Sequence, residues 1–341
     1  MTDSEVQRAI VIGDGSWGTT LAILLARGGV ETRLWSAFPE QAEAMERDRS
    51  NEAFLPGVAF PAGLTASADP FGAADGVDLA VSVVPTQYLR QVAMRFEDAL
   101  PGQLPIATAS KGLEIETFQT PSRILSEVLG ERTVCVLTGP SHAEEVARGL
   151  PASVVAACED QEFAGKVQRA FSGDTFRVYT HEDAVGAELA AALKNVIAIA
   201  AGICDGLELG DNAKSALMTR GLVEMARFGK AHGANSATFF GLAGVGDLIT
   251  TCTSPHSRNR GVGEAIGRGK TLEQVLEEMK MVAEGVWTTK ALFGPETDLG
   301  RVEMPIAEQV HAVLFEGKDP REAVLDLMRR APAGEMDGLL A

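Results

Sequence analysis

Lys194 sits inside Glu188-Leu189-Ala190-Ala191-Ala192-Leu193-Lys194-Asn195-Val196-Ile197-Ala198, a largely apolar stretch. Lysine is almost never fully buried unless it is paired. Burial penalises the charged form, so a desolvated ammonium loses basicity and can exchange a proton near neutrality. The plainer reading lays the stem along apolar surface and lets the ammonium reach water. Asp247, in Gly244-Val245-Gly246-Asp247-Leu248, is a short carboxylate among glycines and apolar residues. It suits pairing with that lysine or accepting from a substrate hydroxyl, and equally suits a turn or a helix cap. Ser257-Arg258-Asn259-Arg260 combines guanidinium forks with hydroxyl and amide donors. That is equipment for a phosphate, or a solvated basic turn.

A second group of residues works through the main chain. Gly13-Asp14-Gly15-Ser16-Trp17-Gly18 fits G-x-G-x-x-G, after an apolar run and before a helical pattern. Gly13 serves a tight turn, Gly15 a close approach of pyrophosphate, and Gly18 close helix–sheet packing. The helix that follows, from about Trp17, has free N–H groups that attract phosphate. The pattern points to a dinucleotide. Asp14 is irregular, because a carboxylate near a pyrophosphate is costly, and its side chain is expected to point away from the cofactor. The acidic ribose ligand, about 20 residues on at the end of the second strand, is also missing. The residues there are Leu34, Trp35, Ser36, Ala37 and Phe38, with Arg33 nearby, so NAD and NADP both stay open. Ser110-Lys111-Gly112 and Gly139-Pro140-Ser141-His142-Ala143 each follow a predicted strand. Ligands of doubly wound sheets bind at that carboxyl edge. Lys111 there can meet a phosphate or a carbonyl oxygen, and the backbone around Gly139 can cradle an anion.

The elements that must hold these residues differ between the two halves of the chain. Ala9–Ile12, Thr32–Trp35, Val77–Val84, Pro105–Ala109 and Val134–Leu137 read as strands, apolar with little alternation and so buried on both faces. Ala152–Ala157 and Phe176–Tyr179 extend the series. A helical pattern from Trp17 to Arg27 stops at Gly28-Gly29. Strands alternating with helices predict a doubly wound, mostly parallel α/β sheet. From about residue 182 helical patterns take over: Glu188–Ile203 as a buried helix, a helix capped by Asp211 and running to His232, a capping box at Thr271 and Gln274, and a last helix opened by Asp319-Pro320. Residues 241–263 read as a glycine-rich connection. These patterns predict two domains, 1–183 and 184–341, with the boundary between Thr180 and Gly186.

Bulk properties narrow the function classes. A chain of 341 residues fits two domains. A net charge of −17 repels nucleic acid and anionic membrane surfaces, so any positive pocket must be built locally. The four cysteines, Cys135, Cys158, Cys204 and Cys252, are far apart and signal neither a zinc site nor a redox pair. Met1–Arg8 lacks the apolar core of a signal peptide, and the apolar run Val196–Cys204 is short for a membrane span. A cytoplasmic enzyme without a metal is expected.

Together these residues resemble the bacterial NAD(P)-dependent glycerol-3-phosphate dehydrogenases. The carriers are Gly13–Gly18 with Trp17, Ser110–Gly112, Gly139–Glu145, Glu188–Asn195, Gly244–Leu248 and Ser257–Arg260, in the family's order over nearly the whole chain. The resemblance implies a Rossmann domain followed by an all-helical one, a homodimer, and supply of glycerol 3-phosphate for phospholipid synthesis. It implies that Lys194 is the proton donor and acceptor, with Lys111 and Asp247 assisting. Lys111, Gly139, Ser141, Lys194, Asp247, Ser257, Arg258 and Asn259 match substrate positions. Gly13, Gly15, Ser16, Trp17, Gly18, Lys111, Ala143, Arg258, Val282 and Glu284 match cofactor positions. Asp14 and Ala37 depart from the pattern, which usually has a small and a basic residue there. Without the resemblance, the residues equally suit a hydroxy-acid dehydrogenase of similar plan; a silent dinucleotide sensor is the other alternative, and the joint presence of Lys111, Lys194, Asp247 and Arg258 argues against it.

Overall fold

A computed structural model describes residues 6–279, 281–295, 297, 302–332 and 334–335. Contacts divide the chain into two compact units, Met1–Ser110 with Pro121–Ala184, and Lys111–Thr120 with Val185–Ala341. The segment Lys111–Thr120, which chain order alone counts with the first unit, thus belongs to the second.

The first unit opens with β1 (Arg8–Ile12), α1 (Ser16–Arg27), β2 (Glu31–Trp35), α2 (Pro39–Asp48), β3 (Ser50–Asn51), β4 (Leu55–Ala59), β5 (Leu64–Ser67) and α3 (Pro70–Ala74). It continues with β6 (Leu79–Ser82), α4 (Thr86–Met94), β7 (Ile106–Thr108), α5 (Pro121–Leu129), β8 (Val134–Thr138), α6 (Ala143–Ala147), β9 (Ala152–Ala157), α7 (Gln161–Phe171) and β10 (Phe176–His181). Eight strands form one sheet in the order β10-β9-β8-β7-β6-β1-β2-β5. All neighbours are parallel except β8 and β9, which run antiparallel. The continuous apolar strands follow from burial on both faces. In β1, Ala9 and Val11 join one core cluster while Ile10 and Ile12 join the other, as alternating side chains must. The chain leaves β1 toward β2 and β5, then returns to β6 on the other side of β1. The carboxyl ends of β1 and β6 are therefore the topological switch point, where such sheets bind ligands.

Among the described residues the second unit contains helices and no strand. They are α8 (Ala184–Gly206), α9 (Gly210–Ala231), α10 (Asp247–Thr253), α11 (Arg258–Gly267), α12 (Leu272–Glu278), α13 (Glu284–Leu292), α14 (Pro305–Phe315) and α15 (Pro320–Met328). The capping box at Thr271 and Gln274 is formed, and Asp319 accepts from the Arg321 and Glu322 amides. Two expectations fail. Asp211 is not a cap: α9 already starts at Gly210, and Asp211 lies in its first turn, where its charge still favours the helix dipole. The stretch 241–263 is not a loop but a π-helical turn (Leu242–Gly246), α10 and the start of α11. Two of its glycines, Gly244 and Gly263, serve packing. A Cβ on Gly244 would lie 2.0 Å from the Phe239 carbonyl oxygen, and one on Gly263 would lie 1.9 Å from that of Ile199. Gly263 thereby brings α11 backbone-close to α8. Helix α8, at 23 residues, extends beyond the apolar run and has the length and hydropathy of a membrane span, yet all of its apolar window is buried inside the protein.

Candidate active site

The glycine loop between β1 and α1 lies at the switch point. Gly13 has φ +114°, and a Cβ there would lie 2.8 Å from the Val83 carbonyl oxygen. At Gly18 a Cβ would lie 1.9 Å from the Gly13 carbonyl oxygen, so only glycine lets the helix fold back on its own loop. At Gly15 a Cβ would meet nothing within 4 Å, which leaves that face open to an approaching ligand. Helix α1 begins at Ser16 with no acid in its first turn, so its N–H groups present an uncompensated positive end. These features fit the pyrophosphate of a dinucleotide. Trp17 packs on Phe176 with ring centroids 6.3 Å apart, and the Ala143 carbonyl lies 3.2 Å from Thr20 Oγ1 of α1. Gly139 adopts φ +141°, where a Cβ would lie 2.9 Å from Val154 Cα, and Ser141 Oγ donates to the Gly139 carbonyl at 2.9 Å.

In the second unit three distant segments converge on one carboxylate. Lys194 Nζ, on α8, donates to Asp247 Oδ1 at 2.6 Å, and Lys111 Nζ donates to Asp247 Oδ2 at 2.7 Å. Asp247 opens α10 and is 2% exposed; Lys194 is 5% exposed. Lys194 also donates to Thr251 Oγ1 at 2.7 Å, whose own proton goes to the Asp247 carbonyl at 2.6 Å. Desolvation lowers the Lys194 pKa to about 8; Asp247 opposes that shift and the Lys111 charge adds to it. Burial pushes the Asp247 carboxyl upward, but the two ammonium groups outweigh it and hold the carboxyl below its ordinary range. The cluster at neutral pH is therefore two cations on one anion, a local positive centre in an acidic protein. An ammonium has three N–H donors, and Asp247 and Thr251 take two from Lys194, so one remains for a substrate oxygen.

A second chain of polar groups joins α8, α11 and α13. Asn259 Nδ2 donates to Asn195 Oδ1 at 2.9 Å, and Asn259 Oδ1 accepts from the Gly285 amide at 2.9 Å. Asn259, expected to hold phosphate, is thus buried with its amide largely engaged in fixing its neighbours. Ser257 caps α11 by accepting from the Arg260 amide at 3.2 Å. Arg258 is exposed and donates from Nη1 to the Val282 carbonyl at 2.9 Å, just before Glu284 opens α13. Arg258 and Val282, expected to share a role, are neighbours.

The sequence reading missed Thr251 as the second hydrogen-bond partner of Lys194. Its signal was available: four residues after Asp247 on a helix is the same face. Asn195 carries the same lesson, since it adjoins Lys194 and turns toward α11.

Residues 8–164 match the family described as NAD-dependent glycerol-3-phosphate dehydrogenase N-terminus, and residues 183–325 the corresponding C-terminus. A Geobacillus thermodenitrificans protein named glycerol-3-phosphate dehydrogenase (NAD(P)+) is 49% identical over 338 residues, covering 98% of each chain. The chain belongs to the glycerol-3-phosphate dehydrogenase family. A similarly named relative from Chlorobium phaeobacteroides is 48% identical over 96% of this chain and 98% of its own. The crystal structure of glycerol-3-phosphate dehydrogenase from Coxiella burnetii superimposes with a TM-score of 0.91 at 37% identity, over 95% of this chain and 99% of that one. Membership of the glycerol-3-phosphate dehydrogenase family accounts for a glycine loop fit for a dinucleotide and a buried lysine fit for proton transfer in one chain.

Proposed function

We propose that this chain reduces dihydroxyacetone phosphate to sn-glycerol 3-phosphate with NADH or NADPH, and catalyses the reverse, so supplying glycerol 3-phosphate for phospholipid synthesis. The observation that carries the reading is the buried Lys194, paired through Asp247 with Lys111. A bound reduced nicotinamide supplies hydride to the C2 carbonyl carbon. The remaining N–H of Lys194 donates to the carbonyl oxygen and gives up its proton as negative charge develops there, leaving the alcohol and a neutral amine. A pKa of about 8 lets that amine recover its proton from solvent near neutrality. Asp247 and Thr251 hold the ammonium in place before the reaction, so little reorganisation accompanies the charge change. Lys111 keeps Asp247 ionised and adds positive charge to the site.

Arg258, at the start of α11 beside the Ser257 cap, is the main phosphate holder. A phosphate there meets both the guanidinium and the positive end of a helix. Asn259 acts largely by locking α8, α11 and α13 together. Gly13, Gly15, Ser16, Trp17 and Gly18 hold the dinucleotide pyrophosphate; the family resemblance supports Ala143, Val282 and Glu284 as further cofactor-contacting residues. The same resemblance supports Gly139 and Ser141 as substrate-contacting residues. The resemblance also supports a homodimer working in the cytoplasm, and light scattering on the purified protein tests the assembly.

The direct test follows the absorbance of NADH and, separately, NADPH on adding dihydroxyacetone phosphate. Rapid oxidation that ceases in Lys194→Ala is expected. Cofactor binding without turnover on this substrate would defeat the reading.

A further inference from the structure

In doubly wound sheets the acid that reads the adenosine ribose stands at the end of the second strand, and a base nearby accommodates a 2′-phosphate. Here the end of β2 and its continuation, Leu34–Phe38, carry no charged residue. An acid reaches the same place from the glycine loop. Asp14, between Gly13 and Gly15, is 8% exposed, and Ser36 Oγ donates to its Oδ2 at 2.8 Å. Ser36 immediately follows β2 and is fixed in turn: its amide donates to the Ser67 carbonyl at 3.0 Å, and its Oγ accepts from the Phe38 amide at 3.1 Å. The Asp14 main chain is clamped as well. Its carbonyl accepts from Asn51 Nδ2 at 2.7 Å and from Thr19 Oγ1 at 3.1 Å, and Gln41 holds Asn51 at 3.0 Å. The Asp14 carboxylate is therefore held at the end of β2, the position from which doubly wound sheets read the ribose.

The arginines around β2 are occupied elsewhere. Arg33 donates to the Gly72 and Asp75 carbonyls and to Glu31. Arg49 donates to the Pro61 and Leu64 carbonyls. Arg95 lies over the Trp35 ring, 4.7 Å from its centroid.

We propose that Asp14 replaces the missing ribose acid, accepting from the adenosine 2′-hydroxyl and repelling a 2′-phosphate, so that the enzyme selects NAD(H) over NADP(H). The inference rests on the dinucleotide role of the glycine loop and deepens the proposed function by naming its cofactor. Because the carboxylate and the 2′-phosphate carry like charge, the selection works by repulsion as well as by a hydrogen bond.

The test is direct binding, which needs no turnover and so fails independently of the substrate assignment. Dissociation constants for NADH and NADPH are measured by titration calorimetry on the wild type and on Asp14→Asn, which keeps the shape and an acceptor for Ser36. One charged hydrogen bond is worth about tenfold in affinity. The wild type should bind NADH at least about tenfold more tightly than NADPH, and Asp14→Asn should narrow the ratio by about tenfold, largely through tighter NADPH. Equal affinities in the wild type, or equal weakening of both cofactors in the variant, would overturn the proposal and leave Asp14 a structural residue. Should the variant fail to fold, the wild type still decides. NADH lacking the 2′-hydroxyl should bind about tenfold more weakly than NADH, and equal binding overturns the assignment.

Discussion

Gly13–Gly18 offers a ligand main chain; around Lys194 the polar groups on offer are side chains drawn from three segments. The loop works by what is left out, since a Cβ at Gly13 or Gly18 would strike backbone and the absence of one at Gly15 leaves open space. The lysine cluster works by what is put in: an ammonium placed where burial costs it charge, and a carboxylate that opposes that cost without cancelling it. One site is local in sequence and tolerant of its surroundings. The other spans residues 111–251 and depends on helices α8 and α10 packing in register.

The contrast can be broken most forcefully at Lys194. Lys194→Ala should lower kcat by about a thousandfold with the dissociation constant of the cofactor unchanged, because general acid catalysis contributes roughly 100- to 10,000-fold. Steady-state kinetics beside calorimetry would show it, and parallel losses in both would mean that the two regions are not separable.

The glycine loop predicts the opposite split. Gly15→Ala should leave the melting temperature unchanged, since no protein atom lies within 4 Å of the added Cβ, yet weaken cofactor binding by about a hundredfold. Gly18→Ala should lower both, because its Cβ would collide with Gly13. Thermal unfolding run alongside binding separates the two glycines.

The pH profile sharpens the picture of the lysine. Reduction of the ketone needs the protonated ammonium, so its rate should fall as pH rises through about 8, approaching tenfold per unit beyond. Oxidation of the alcohol needs the neutral amine and should rise over the same range. A reduction rate flat from pH 7 to about 10 would place the proton on another group. The smallest effect is expected at Thr251. Thr251→Val removes one hydrogen bond to the ammonium and should cost about tenfold in kcat while sparing cofactor affinity.

Much of the fold was legible because apolar strands and glycine stops are local signals. β1, the glycine loop, the capping box of α12 and the Asp319-Pro320 start of α15 stand where their patterns place them. The stretch 241–263 was misread for a physical reason: glycine at a helix–helix contact has the same composition as glycine in a loop. Gly244 and Gly263 differ from loop glycines only in the backbone they touch. Asp211 was misread because an acid inside the first turn and an acid at the cap both suit a helix start.

By itself the sequence determined the class of chemistry. A G-x-G-x-x-G loop after a buried strand dictates its own geometry through φ angles and missing side chains, and a lysine in an apolar helix announces that its charge needs a partner. Which partners it finds was decided only by the tertiary structure. Lys111, Asp247 and Thr251 meet Lys194 through packing between segments remote in the chain, and Asp14 meets Ser36 across the ends of two strands. Local spacing sets a backbone conformation, but the energy of a buried charge depends on everything folded around it.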